Sequence, residues 1–221
     1  MTRPNSHDWN IKARRGGSIP IGLNNLIICC GVRTEKNYFD SIAKIIKDNY
    51  PKQTGVNFDV ESDPVDPQKM IKHLEDRSDL ESYQHIWIVF DKDDFEKDNF
   101  DNAVQKVRAF NKKKGEARYH ALWSNECIEL WFLLHFEYMN TDISREQYFD
   151  KLGKYLGESY EKNDKNIAVK LVVGNGTIGS AIKNANKLLD IHTGKTPSQC
   201  KPATNVVEFF EYYQEYLKEL M

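Results

Sequence analysis

The sequence contains no stretch able to cross a membrane: none of its apolar runs approaches the roughly 20 residues that a bilayer-spanning helix needs. Met1 to Arg15 has no apolar segment of the kind that drives secretion. Nor is there an excess of charge. Lys and Arg number 31 against 33 Asp and Glu, a formal net charge of −2, so the chain as a whole is no polycation. Any binding of nucleic acid must then rest on a local patch or on metal ions. The four cysteines, Cys29, Cys30, Cys127 and Cys200, show no zinc-ligand spacing, and neither do the six histidines. Cys29 and Cys30 lie side by side in an apolar run, which suits reduced, buried thiols in a cytoplasm. Internal repeats and low-complexity segments are absent. What is present is 40% apolar and 12% aromatic residues, enough to bury a core and to exclude a wholly disordered chain.

The chain is organised around His85-Ile86-Trp87-Ile88-Val89-Phe90-Asp91-Lys92-Asp93-Asp94. An unbroken, β-rich apolar run suits a strand covered on both faces, as in a parallel sheet. Such sheets place their chemistry beyond the carboxyl ends of their strands, where Asp91 and Asp93 fall. Their oxygens are the hard ligands that Mg²⁺ or Mn²⁺ takes. The competing reading is an acidic turn closing the strand, with both side chains facing water.

Residues 1–22 read as a basic arm carrying Arg3, Lys12, Arg14 and Arg15, either a frayed terminus or a phosphate-touching segment. A buried strand over 24–30 runs into Gly31. Thr34 then reads as the N-cap of a helix from Glu35 to about Asn49, with Tyr38, Phe39, Ile42, Ile45 and Ile46 facing inward. Glu35, in that helix's first turn, complements the helix dipole or serves as a carboxylate beside the strand tips. A second strand over 56–60 follows, then a helix opened by Pro67, the central strand, and a helix over 99–114. A fourth strand over 119–123 leads to Ser124–Phe136, which reads as a helix apolar nearly all round. Glu129 inside it is anomalous, since a buried carboxylate is paired, neutral or metal-bound. It is either an ion-pair partner in the core or a member of the acidic group.

Four alternations of strand and helix argue for a mostly parallel four-stranded sheet with helices on both faces. Past residue 137 the pattern becomes helical, over 142–156, 165–173, 178–189 and 205–220. Gly174-Asn175-Gly176-Thr177-Ile178-Gly179 follows no strand, so it reads as a helix entry and not as a phosphate loop.

Taken together, the motifs resemble a known family. An apolar strand is followed by Cys30-Gly31-Val32-Arg33-Thr34-Glu35 and Tyr38-Phe39. The central strand leads into Asp91-x-Asp93. Ser124-Asn125, Cys127, Glu129-Leu130-Trp131, Leu133-Leu134-His135-Phe136 and a late Pro202-x-Thr204-Asn205-Val206 complete the series. This is similar to the RloB proteins, also called the AbiLii type, which carry a Toprim-like domain. With the flexible basic arm at 1–22 set apart, the resemblance, which spans roughly residues 24–213, implies a Toprim-like α/β domain at 23–137 and a helical region at 138–221 packed on it. It implies a Mg²⁺ or Mn²⁺ site with Asp91, Asp93 and Glu35 as ligands, and Glu35 or Glu129 as ligand or base. Arg33 and Lys36 are expected near a substrate phosphate. One departure stands out: the Toprim glutamate normally precedes the glycine after the first strand, and here Cys30 precedes Gly31. Glu35 takes over that role, Glu129 supplies the missing carboxylate, or hydrolysis has been lost.

The resulting expectation is a cytoplasmic, metal-dependent nuclease cleaving DNA or RNA as the effector of a bacterial phage-defence system. An ATPase partner, a homo-oligomer and no membrane association go with it. The rival is a silenced Toprim-like subunit that binds nucleic acid or regulates an ATPase. A third reading is an enzyme that turns over free nucleotides and leaves polymers intact.

Overall fold

The computed structural model describes residues 23–49, 56–93, 95–114 and 118–217, so the basic arm and Asp94 lie outside it. Five strands form one sheet in the order β2-β1-β3-β4-β5. They are β1 (Asn24–Cys29), β2 (Asn57–Ser62), β3 (His85–Asp91), β4 (Tyr119–Asn125) and β5 (Ala203–Thr204). The first four are parallel, with β3 paired to β1 on one side and β4 on the other. Helices cover both faces, as the alternation of elements predicts. The addition is β5, which runs antiparallel to the end of β4. Two residues are too few to leave an alternating or apolar signal.

Each central strand divides its apolar residues between two cores. Ile27, Cys29, Trp87, Val89 and Leu122 face one, with Tyr38, Phe39 and Ile42 of α1 (Thr34–Asn49). Leu26, Ile28, Ile86, Ile88, Phe90 and Trp123 face the other, against α2 (Pro67–Glu75) and α3 (Lys97–Lys114). Burial on both faces is why β3 reads as an unbroken apolar run. The first core also holds Phe209, Phe210 and Tyr213 from the end of the chain, so the C-terminal region shares it. Among the described residues no helix is long and apolar enough to cross a membrane.

Local chemistry sets the helix limits. Asp66 accepts hydrogen bonds from the Gln68 and Lys69 amides and Pro67 opens α2. Ser144 and Gln147 form a reciprocal cap, so the helix expected from residue 142 begins at Arg145 as α5 (Arg145–Leu156). α6 spans Ile167–Val173. Thr177 caps α7 (Ile178–Ile191), so the glycine-rich segment is indeed a helix entry. A Cβ on Gly176 would stand 2.4 Å from the Leu171 carbonyl oxygen and 2.9 Å from the His135 Cβ, so glycine is needed there for close packing.

Three expectations need correction. Thr34 is not a cap: it is the first residue of α1, and its hydroxyl donates to the Lys162 carbonyl at 2.9 Å. The helix expected over 124–136 is only α4 (Glu129–Leu133). Ser124 and Asn125 stay in β4, where the Asn125 amide donates to the carbonyls of Pro197 and Ser198. The helix expected over 205–220 is α8 (Val207–Tyr212) followed by a 3₁₀ turn at Gln214–Tyr216. Asn205 is withheld from it because its amide oxygen accepts from the Trp123 amide and its nitrogen donates to the Ala121 carbonyl, extending the sheet with a side chain.

Candidate metal and phosphate cleft

Three parallel strands deliver acidic residues to one end of the sheet. After β1 the chain turns at Gly31 and enters α1, whose first turn carries Glu35. A Cβ on Gly31 would stand 1.9 Å from a Glu35 carboxylate oxygen, so the missing side chain is the space that carboxylate occupies. Asp91 is the last residue of β3, and Asp93 follows in the left-handed region at φ 39°, which Asp tolerates better than most residues. The Lys92 and Asp93 amides donate to the Ser124 and Glu126 carbonyls, fixing this turn to the end of β4. Glu129 opens α4, and Trp131 seats that helix by donating its indole N–H to Tyr38 of α1 at 2.7 Å. Glu35, Asp91, Asp93 and Glu129 line one cleft of about 450 Å³, together with Gly31, Arg33, Cys127 and Lys162.

Of the two acids after β3, Asp93 lies in a partly exposed turn but Asp91 does not. Glu35, Asp91 and Glu129 are all buried, with Glu129 only 1% exposed. One Asp91 oxygen, Oδ2, accepts from the Ile128 amide at 2.9 Å, while Oδ1 is buried with no hydrogen-bond partner. Asp91 therefore does not face water as expected of a strand-end acid, because α4 closes over it. Burial raises the Asp91 carboxyl well above the usual carboxylate range, and the charges of Glu35, Asp93 and Glu129 add to the effect. Glu35 is pushed up to about 7, mainly by burial and further by Glu129 and Asp93. Glu129 accepts a hydrogen bond from the Tyr160 hydroxyl at 3.0 Å. No Lys or Arg of the described residues forms an ion pair with it, so the core salt bridge considered for it is not found.

Cations come from both halves of the chain. Arg33 is exposed and lines the cleft. Lys36 is not among the lining residues and pairs with Asp40 one helical turn away at 2.5 Å. Sequence reasoning missed Arg145, Tyr160 and Lys162. Arg145, the first residue of α5, forms an ion pair with Asp93. Lys162 is held at the cleft by a polar stripe on α1: Thr34, Asn37 and Ser41 donate to the carbonyls of Lys162, Asn163 and Lys165. Only Arg145 left a trace in the sequence, as a cation at a helix N-terminus, where the dipole disfavours it.

This donor set suits a hard divalent cation. An unpartnered buried oxygen on Asp91, neighbouring carboxylates that help raise Asp91 and Glu35, and a glycine cleared for Glu35 all favour added positive charge. Among the described residues, however, no three His, Cys, Asp or Glu side chains already stand as a metal cage, and Asp93 is engaged with Arg145. Cys30 lies off this constellation. Its thiol donates to the Val65 carbonyl at 2.5 Å and packs with the core on the other sheet face, and burial pushes it up to about 12.

A family model described as RloB-like protein matches residues 25–212 of the chain. No curated protein matches it.

Proposed function

Because the chain belongs to the RloB-like family, we propose that the carboxylate cleft is the active site of a divalent-metal-dependent nuclease acting in phage defence, in a cytoplasm and alongside an ATPase. The observation that carries the reading is that Asp91, whose Oδ1 is buried without a hydrogen-bond partner, lines one cleft with Glu35, Asp93 and Glu129. Asp91, Asp93 and Glu35 would hold Mg²⁺ or Mn²⁺. When bound, such an ion activates water and neutralises charge on phosphoryl oxygens. Glu129, kept in place by Tyr160, would accept a proton from the attacking water at a carboxylate oxygen. Arg33 and Lys162 would orient the phosphodiester from the open side. With a net charge of −2 and an acidic cleft, the protein repels a polyanion unless these cations and the ion offset it.

Incubation of plasmid DNA and of tRNA with Mg²⁺ or Mn²⁺, against EDTA controls, tests the proposal. Cleavage of either polymer that EDTA stops supports it. Intact polymers under all conditions reject catalysis.

Cys30 favours the second reading, a silenced nucleic-acid-binding or regulatory subunit, because it stands where the Toprim pattern has an acid. Cleavage by Cys30→Glu but not by the natural protein would establish that second reading. Equal cleavage by both would mean that Glu35 and Glu129 already supply the needed acids.

A further inference from the structure

Arg145 sits where a cation is electrostatically disfavoured. It opens α5, a 12-residue helix whose N-terminus carries the positive end of the dipole. Offsetting this, its guanidinium pairs with Asp93, and its charge also acts on Glu129 and on the Cys127 thiol. The pairing is incomplete from the arginine's side: its Nε is buried and has no hydrogen-bond acceptor. Both side chains are partly exposed, 30% for Arg145 and 41% for Asp93; Arg145 is not itself a lining residue of the cleft and reaches it through Asp93, which is, so an exchange of partners at Asp93 is sterically open. A guanidinium fork with an unused donor, held beside an acidic cleft, matches a phosphate's paired oxygens better than it matches one carboxylate.

We propose that Arg145 is a stand-in cation, pairing with Asp93 until a divalent ion takes that carboxylate and then turning to bind a phosphate of the substrate. The inference rests on the metal reading above and deepens it, by giving the site an order of binding: ion first, phosphodiester second. It also makes Arg145 a competitor of the ion and a partner of the substrate, two effects of opposite sign in one side chain.

The test is calorimetric titration of metal-stripped protein with Mn²⁺ alone, then with dithymidine monophosphate at saturating Mn²⁺. Arg145→Gln should tighten Mn²⁺ binding by about tenfold and weaken dinucleotide binding by about tenfold, the scale of one charge-assisted contact. Arg145→Lys keeps the charge and loses the fork, so it serves if the Gln variant does not fold. It should hold Mn²⁺ affinity within about threefold of the natural protein while still weakening the dinucleotide. Mn²⁺ affinity that is unchanged or lower in Arg145→Gln, or that rises as much in the Lys variant as in the Gln variant, overturns the stand-in role alone. Absence of Mn²⁺ binding in the natural protein and in both variants overturns the metal reading and this inference together.

Discussion

At the scale of single residues, the cleft concentrates carboxylates that water does not screen. Glu129 is the sharpest case. A structural ion-pair partner would leave a buried cation uncompensated when neutralised, at several kcal/mol. The described residues instead give Glu129 a tyrosine hydroxyl, a bond that a glutamine oxygen also accepts. Glu129→Gln should therefore leave the melting temperature in EDTA equal or higher, while reducing the stabilisation that Mg²⁺ provides. A clear fall in EDTA with Mg²⁺ stabilisation intact would return Glu129 to a purely structural role.

Glu35 makes a second prediction. Its folded carboxyl is raised to about 7 from the usual 4.5, so the folded state binds the proton more tightly than the unfolded one. Stability from this group is then fully present below pH 4.5, falls as pH rises toward 7, and stays lost above it. In EDTA, Glu35→Gln should match the natural protein at pH 4.5 and melt higher at pH 8. The gap should reach about 3 °C or more, since about 1 kcal/mol shifts a chain of this size by 2–4 °C. Buried His135, lowered to about 4 by desolvation, destabilises both proteins equally in acid and cancels from the difference. A gap that is the same at both pH values would contradict the raised carboxyl.

Asp91, Asp93 and Glu129 stood out in the sequence because acids after an apolar run, or inside one, violate the surrounding pattern, whereas Glu35, an ordinary first-turn helix acid, stood out only through the motif it belongs to. Tyr160 and Lys162 did not stand out, because aromatic and charged residues in a polar helical region violate nothing, and Arg145, a cation at a helix start, shows no partner until the chain folds back over 52 residues to Asp93.

At the scale of elements, the long strands and α1 were readable because two-sided burial and helical spacing leave strong periodicity. β5, α4 and the start of α8 were hidden, because side chains there replace backbone partners. Asn205 completes the edge of β4, and Ser124 bonds to Thr204 at 3.0 Å. The polar stripe of α1 is another such device, tying the segment that carries Lys162 to the cleft. Removing two of its donors with Asn37→Ala and Ser41→Ala should raise amide hydrogen exchange across 162–166 by roughly ten- to thirtyfold, from two bonds of about 1 kcal/mol each. Exchange in β1 and β3 should not change. Unaltered exchange across 162–166 would show that the stripe does not hold the segment.

At the scale of the whole molecule, the C-terminal region is no separate attachment. Phe209, Phe210 and Tyr213 share a core with Tyr38, Phe39 and Trp87, and the same region supplies Arg145, Tyr160 and Lys162 to the site. One core thus places acids at the carboxyl end of the sheet opposite cations from the C-terminal region. The overall class of fold followed from element order in the sequence, but this opposition of charges did not, because it depends on contacts between distant segments. On the proposed function, this opposition is arranged around a divalent ion. Titration of Mn²⁺ into the metal-stripped natural protein and into Asp91→Asn tests it most directly, because asparagine still accepts the Ile128 amide and so preserves the seat of α4. Saturable binding by the natural protein, weakened at least about a hundredfold in a variant of unchanged fold, is the predicted result. Equal Mn²⁺ affinity in the two folded proteins, or none in either, would contradict it.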